Sequence, residues 1–183
     1  MFKYFKLLET ANFDYPFIIQ SDHELRKVIA EYTGEEYVNI NNYLRFRDKY
    51  AKNEKIEKQI EYLDKAMDKF LEVVKWHKVD TKLTVYRKVY ISDIEWPNFM
   101  EIINSGYFID KGYMSTSLIN SYKRRCNVLF KIELSSIKLG AFIGNVSKMG
   151  NECEFLIRRD TPFEIIDTKT KGKTLIIRMR DIK

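Results

Sequence analysis

The feature that most constrains the fold is a change of hydrophobic period near His77. Before this residue, apolar side chains recur at helical spacing, and in residues 53–76 they fall at Ile56, Ile60, Leu63, Met67, Phe70, Leu71 and Val74. After it, short apolar runs alternate with polar residues, most cleanly in Val128–Leu134. Because a helix repeats its face every three to four residues and a strand every two, helices should be followed by strands. That order predicts an α+β domain with a mainly antiparallel sheet.

Other elements are predicted on both sides of this change. A helix should begin at His23, where Ser21 and Asp22 can cap it, and Thr33 with Gly34 should stop it. A second helix is expected over residues 35–47, and a short one over 99–103 near Gly106. Extended segments are expected at residues 83–86, 107–118, 155–157, 163–166 and 174–179.

Length and composition favour one globular domain. The 183 residues, 45% of them apolar, can bury a sizeable core, with a helical part over about 1–80 and a β-rich part over about 81–183. Cys126 and Cys153 do not form a disulfide framework, and His23 and His77 show no ligand pattern, so we expect no metal. No signal peptide or membrane span is visible. We therefore expect a monomer that acts in a cytoplasm without a membrane partner.

The charge balance points to anionic ligands. The formal net charge is +6, with both signs abundant along the chain. Such a balance favours phosphate-bearing ligands without identifying one. No alternation of basic and aromatic residues marks a nucleic-acid surface, so nucleic acid is not the favoured partner.

Three polar groups interrupt the apolar strands of the second half. They are Arg87 in LTVYRKV, the run Ser115, Thr116 and Ser117 in GYMSTSL, and the pair Glu152 and Glu154 in GNECEF. If the chain is extended through Cys153, both carboxylates point to one face and the thiol points away. Carboxylates that close resist ionising together. Such a pair is therefore typical of a functional site, in which a cation or a reaction uses the two negative charges.

Taken in order, these groups resemble the arginine–serine–glutamate class of mono-ADP-ribosyltransferases. The likeness is to the enzymatic components of clostridial binary toxins, to insecticidal toxins and to phage-encoded transferases. It extends to YTGEEYVNINNYLR, which resembles the helix of these enzymes that carries a cofactor-facing tyrosine and asparagine, here Tyr37 and Asn41. The resemblance covers about residues 20 to 180. It implies an ADP-ribosyltransferase fold in which two sheets form an NAD cleft behind a helical N-terminal part.

The resemblance also implies roles for individual residues. Glu154 would stabilise the positive charge that develops on the ribose of NAD, as in glycosidic cleavage. Ser115 would orient Glu154 or contact that ribose, and Glu152 would align or deprotonate the nucleophile. The residues implied to bind NAD are Arg87, Lys88, Tyr37, Asn41, Ser115, Thr116, Ser117 and Arg125.

Several positions depart from the family pattern. Met149 occupies the place of an aromatic residue that contacts the target, and methionine cannot stack as a ring does. Gly112 replaces an asparagine sometimes found there. The second phosphate-contacting arginine matches either Arg125 or Arg124.

The resemblance predicts the acceptor as well. A glutamate at position 152 goes with arginine acceptors, whereas Rho-modifying exoenzymes carry a glutamine there and modify asparagine. We therefore expect transfer of ADP-ribose from NAD to an arginine of a target protein, with slow NAD hydrolysis as a side reaction. Two alternatives remain: another acceptor, such as a different side chain or a nucleic acid base, or a catalytically silent domain that docks a partner. Without the family, Tyr37 reads equally as a core aromatic, and Asn41 as a cap.

Overall fold

A computed structural model describes residues 22–78, 80–120, 126–143 and 153–182. Its helices are α1 (His23–Glu31), α2 (Tyr37–Arg45), α3 (Glu54–Trp76) and α4 (Trp96–Asn104). Its strands are β1 (Leu83–Val89), β2 (Tyr107–Ile109), β3 (Met114–Ser117), β4 (Val128–Leu134), β5 (Gly140–Phe142), β6 (Glu154–Ile157), β7 (Pro162–Lys171) and β8 (Thr174–Asp181). The predicted order of helices followed by strands is confirmed.

Two of the N-terminal helices begin at side-chain caps. Asp22 Oδ1 accepts a hydrogen bond from the Leu25 amide at 3.2 Å, and Asn53 Oδ1 accepts one from the Ile56 amide at 3.2 Å. Each cap satisfies an amide that the first helical turn leaves without a partner.

The predicted stop at Thr33 and Gly34 was wrong. The chain instead runs through a π-helical turn, Tyr32–Glu36, directly into α2. The wider turn changes the helical phase, and Tyr32 at its start is buried. The glycine therefore lies within a continuous helical path rather than after its end.

The sheet joins eight strands in the order β2-β7-β8-β4-β1-β3-β6-β5. Among the described strands only β4 and β8 pair in parallel, which confirms a mainly antiparallel sheet. Its two halves meet between β1 and β3, where the register contains the single pair Tyr86 and Ser117. The two sheets that the resemblance implied are therefore two halves of one continuous eight-stranded sheet.

Residues 107–118 form two strands rather than the one that the sequence suggested. β2 pairs with β7, whereas β3 pairs with β1 and β6. The Asp110 carboxylate accepts the Gly112 amide at 2.9 Å and so turns the chain between them. This turn moves the following residues from one edge of the sheet to its middle.

Helix α3 covers the half of the sheet that carries β6. Its buried face includes Leu63, Met67 and Phe70 and packs between α1 and β5. Burying such a side chain contributes about 1.5–3 kcal/mol. Among the described helices, none is long and apolar enough to cross a bilayer.

Candidate active site

Three adjacent strands bring the predicted arginine, serine and glutamate to one place. Ser117 of β3 lies opposite Tyr86 of β1 on one side and opposite Glu154 of β6 on the other. Arg87 follows Tyr86 directly, and Ser115 lies two residues before Ser117 on the same face of β3. The pairing of β3 with both neighbours therefore creates the site.

A short hydrogen bond joins Ser115 to Glu154 in this site. Ser115 Oγ donates a hydrogen bond to Glu154 Oε1 at 2.6 Å. Glu154 is only 5% exposed, and a carboxylate in that position requires hydrogen-bond partners to offset its desolvation. The distance is that of a charge-assisted bond. The bond holds the carboxylate in a defined orientation.

Arg87 is anchored to the same serine. Its Nη1 donates to the Ser115 backbone oxygen at 3.0 Å. Leu83 and Val85, which alternate with Arg87 along β1, are buried, so the guanidinium extends from the core-facing side of the strand. Ser115 thus links the cationic and anionic side chains of the site.

The other two hydroxyls of the Ser-Thr-Ser run bond to backbone groups. Thr116 Oγ1 donates to the Phe155 oxygen at 2.6 Å, and Ser117 Oγ accepts the Ile119 amide at 3.1 Å. Both side chains are buried. These contacts join β3 to β6 and shape the turn after β3.

Lys88, next to Arg87, reaches the segment that follows β3. Its Nζ donates to the Asn120 oxygen at 3.0 Å. The contact ties the end of β1 to the chain beyond the Ser-Thr-Ser run, so both sides of the site are linked at this edge.

The backbone at Cys153 differs from the sequence interpretation. Its φ is +47°, and β6 begins only at Glu154. A residue in this left-handed region interrupts an extended chain, so the expectation of an extended chain through Cys153, on which the argument from alternation depended, was wrong. Four predicted site residues lie outside the described residues: Glu152, Met149, Arg125 and Arg124.

Asn41 connects α2 to the residue directly before β3. Its Oδ1 accepts the Tyr113 amide at 2.9 Å, and its Nδ2 donates to the Tyr32 hydroxyl at 3.1 Å. A Cβ atom on Gly112 would lie 2.6 Å from Asn41 Oδ1. This close approach explains why a glycine occupies position 112.

Tyr37 lies one turn before Asn41 on α2 and has a different environment. Its side chain is 44% exposed, whereas Asn41 is 4% exposed. Tyr37 is therefore not the core aromatic that its residue type also allowed. Its exposure is compatible with contact to a ligand.

Sequence reasoning missed Tyr32 as part of this site. The buried ring lies edge-on to Tyr113, with centroids 5.8 Å apart. Burial raises the pKa of the Tyr32 phenol above its ordinary value, while the Asn41 hydrogen bond and the charge of Arg87 lower it and the charge of Glu154 raises it. Tyr32 thus lies within electrostatic range of both side chains. The only sequence signal for Tyr32 was its position at the start of YTGEEY, and a single tyrosine there would be interpreted as a core residue.

Other features of the described residues lie apart from this site. A cavity of about 520 Å³ occupies the opposite end of the sheet, where β1 begins and β4 ends, and Thr84, Glu133 and Arg180 contribute to its lining. Of the predicted site residues that the structure describes, none lines it. In the described ranges, no three His, Cys, Asp or Glu side chains gather as a metal site.

An arginine, a serine and a buried glutamate on three neighbouring strands, with a helix packed behind them, define the arginine–serine–glutamate class of ADP-ribosyltransferases. The chain matches the model of the ADP-ribosyltransferase exoenzyme family over residues 5–183. It therefore belongs to that family, whose members use NAD as the substrate and transfer its ADP-ribose to target proteins.

Solved structures share this fold. ADP-ribosyltransferase HopU1 of Pseudomonas syringae pv. tomato DC3000 has a TM-score of 0.72 at 20% identity, with 87% of this chain and 76% of that chain covered. The toxin Plx2a from Paenibacillus larvae scores 0.72 at 22% identity, with 97% and 96% covered. An ADP-ribosyltransferase from Clostridium botulinum scores 0.73 at 15% identity, with 97% and 95% covered. A comparison with curated protein sequences gave no match.

Proposed function

We propose that this protein transfers ADP-ribose from NAD to an arginine side chain of a target protein and releases nicotinamide. The observation that carries the proposal is the 2.6 Å hydrogen bond from Ser115 to the buried carboxylate of Glu154, beside an arginine anchored to the same serine. A carboxylate fixed in this way supplies preorganised negative charge, which is what the cleavage step requires.

The role of Glu154 follows from the bond that breaks. When the bond between the ribose C1′ and the nicotinamide nitrogen breaks, its electron pair leaves with nicotinamide, and positive charge develops on the sugar. A carboxylate held next to the sugar stabilises that charge without having to reorient. Ser115 maintains the orientation through its hydroxyl.

Arg87 suits the pyrophosphate of NAD. A guanidinium carries five N–H donors in a planar fork, so it can bind the Ser115 oxygen and a phosphate oxygen at the same time. The residues present in the site therefore fit NAD. The remaining cofactor contacts, Lys88, Tyr37, Asn41, Thr116, Ser117 and Arg125, stay predictions.

The acceptor step is assigned to Glu152 from its residue type and position. In the proposed step, a nitrogen of the acceptor guanidinium forms a bond to C1′, and the Glu152 carboxylate takes the proton that this nitrogen loses. Met149 would contact the target beside it. Where water replaces the acceptor, the same cleavage gives slow NAD hydrolysis.

We place this reaction in a cytoplasm, that of the producing cell or of a cell to which the protein is delivered. The similar structures are described as toxins or as ADP-ribosyltransferases, which supports a delivered effector. The acting form is proposed to be a monomer.

The proposal is tested by labelling cell extracts with tagged NAD. The unmodified protein should label a discrete protein, and mass spectrometry should locate the ADP-ribose on an arginine. Glu154→Gln should abolish both labelling and NAD hydrolysis, whereas Glu152→Gln should abolish labelling and retain hydrolysis. The matched control is Glu101→Gln, an exposed glutamate on α4, which should change neither.

A different experimental result would contradict each part of the proposal. Label on a residue other than arginine would overturn the acceptor. Full labelling by Glu152→Gln would overturn the role of that residue. If the unmodified protein neither labelled protein nor released nicotinamide, a docking domain without catalysis would replace the transferase.

A further inference from the structure

The loop between β1 and α4, residues 90–95, is closed by a reciprocal pair of hydrogen bonds. Ser92 Oγ accepts the Glu95 amide at 3.3 Å, and Glu95 Oε2 accepts the Ser92 amide at 3.1 Å. Ser92 Oγ also donates to Glu95 Oε2 at 2.6 Å. This is the pattern of a capping box. It fixes the turn and leaves Asp93 and Ile94 at its tip.

The 90–95 loop is anchored to the sheet as well. The Asn127 side chain accepts the Ile91 amide at 2.8 Å and donates to the Ile91 oxygen at 2.7 Å. Ile91 and Trp96, on either side of the turn, both pack against the hydrophobic core. The backbone of the loop is therefore held at both ends.

This well-anchored loop presents apolar side chains to solvent. Ile94 is 93% exposed and Tyr90 is 57% exposed. A rigid loop loses little conformational entropy on binding, and a tyrosine beside an aliphatic side chain is typical of residues that contribute strongly to an interface. The hydrogen bonds within the protein explain the backbone shape of the loop. They do not explain why an isoleucine is exposed at its tip.

The loop also has a charge opposite to that of the whole protein. Asp93 and Glu95 are exposed beside Ile94, on a chain whose net charge is +6. Hydrogen bonds from the Ser92 side chain and backbone lower the pKa of Glu95, so this carboxylate stays ionised. The tip is thus apolar and locally acidic.

Its position is next to the candidate active site. Tyr90 lies three residues beyond Arg87, or about 10 Å at the rise of an extended strand. Lys88 connects β1 to the segment after β3 through the Asn120 oxygen, and β4 begins beside the end of β1. The loop therefore lies at the end of the strand that carries Arg87, which Lys88 ties to the segment after Ser117.

We propose that the tip of the 90–95 loop docks the target protein. The matching surface on the target is an apolar depression that is surrounded by basic side chains and lies next to the acceptor residue. Ile94 and Tyr90 would enter the depression, and Asp93 and Glu95 would pair with the rim. This inference rests on the proposed transferase function, because only a transferase that modifies a protein needs a surface that docks its target.

The test separates docking from chemistry. The labelled protein from the extract experiment is purified, and its KM and kcat are measured as the acceptor, with the affinity for NAD measured by calorimetry. Ile94→Ser should raise the KM for the target at least about tenfold and leave the kcat and the NAD affinity within about twofold. Asp93→Lys should raise the same KM, with the larger effect at low salt.

Trp76→Ser is the matched control. Trp76 is 83% exposed at the end of α3, before β1 begins, and its substitution should leave the target KM unchanged. An unchanged KM in Ile94→Ser, or an equal rise in Trp76→Ser, overturns the docking role. Loss of self-association in Ile94→Ser without a change in KM assigns the loop to a second copy and also overturns it. If the unmodified protein binds NAD but labels no protein, the proposed function fails first, and this inference fails with it.

Discussion

At the scale of single residues, one hydrogen bond organises the candidate site. Glu154 is buried, and Ser115 donates to it at 2.6 Å. Because Ser115 also accepts from Arg87 through its backbone, removing only its hydroxyl should disturb the carboxylate and leave the arginine anchor in place. The serine side chain is therefore a positioning group whose contribution can be measured separately.

Ser115→Ala should lower the kcat for NAD cleavage by about tenfold to a hundredfold, since a hydrogen bond to a charged group contributes about 1.5–3 kcal/mol. The KM for NAD should change less, because Arg87 is unaffected. Steady-state nicotinamide release checks this result. Ser105→Ala is the control, since Ser105 bonds to nearby backbone groups beyond the end of α4. A kcat unchanged in Ser115→Ala would contradict the positioning role.

At the scale of elements, two helices fix the start of β3. From α2, Arg45 binds Asp110 through Nε at 2.8 Å and Nη2 at 2.7 Å. From α3, Asp64 accepts the Tyr113 hydroxyl at 2.7 Å. Together with the bond from the Tyr113 amide to Asn41, these contacts hold the chain directly before β3. The helices thus position the strand that carries Ser115 of the candidate site as well as covering the core.

Gly112→Ala should disturb this connection. The new Cβ would lie 2.6 Å from Asn41 Oδ1, so Asn41 must move away from the Tyr113 amide. We expect a loss of about 1–3 kcal/mol in the free energy of unfolding, measured by urea denaturation, together with weaker NAD binding. In an Asn41→Ala background the same substitution should cost less. Equal costs in the two backgrounds would exclude the contact as the cause.

At the scale of the whole molecule, buried tyrosines join the helical layer to the sheet. Tyr32 and Tyr113 are both buried and pack edge to face. Burial raises the pKa of each phenol, and the Asp64 charge raises that of Tyr113 further. Both groups should therefore stay protonated in the folded protein at a pH where the unfolded chain has lost the protons.

The consequence is a loss of stability in alkali. Above pH 10.0, the ordinary value for tyrosine, the unfolded chain binds fewer protons than the folded protein. The free energy of unfolding should then fall by about 1.4 kcal/mol per pH unit for each such tyrosine, while the full contribution is present below that pH. Tyr32→Phe should reduce this slope, as measured by urea unfolding from pH 9 to pH 11. Tyr107→Phe, which removes a phenol from the surface, is the control, and an equal reduction there would contradict the assignment.

Local patterns were sufficient for much of this protein. The amphipathic period placed α3, the cap at Asp22 marked where α1 begins, and alternation identified β4. These features depend on interactions between residues close together in the chain. The resemblance identified Arg87, Ser115 and Glu154 for a similar reason, since it depends on short motifs and on their order along the chain.

Other features depended on contacts between distant segments, and local patterns misled there. The sequence suggested a stop at Gly34 and an extended chain through Cys153, but the structure has a π-helical turn and a left-handed residue. Tyr32 became part of the site only when Asn41 and the charges of Arg87 and Glu154 came near it.

The sequence by itself determined the class of protein, the order of helices and strands, and which arginine, serine and glutamate to examine. Only the tertiary structure decided that β3 lies between β1 and β6, that Asn41 and Gly112 meet, and that Ile94 is exposed. The physical reason is that hydrophobic period and capping are local properties of the chain. Strand pairing and burial instead minimise the free energy of the whole fold and do not follow from any single segment.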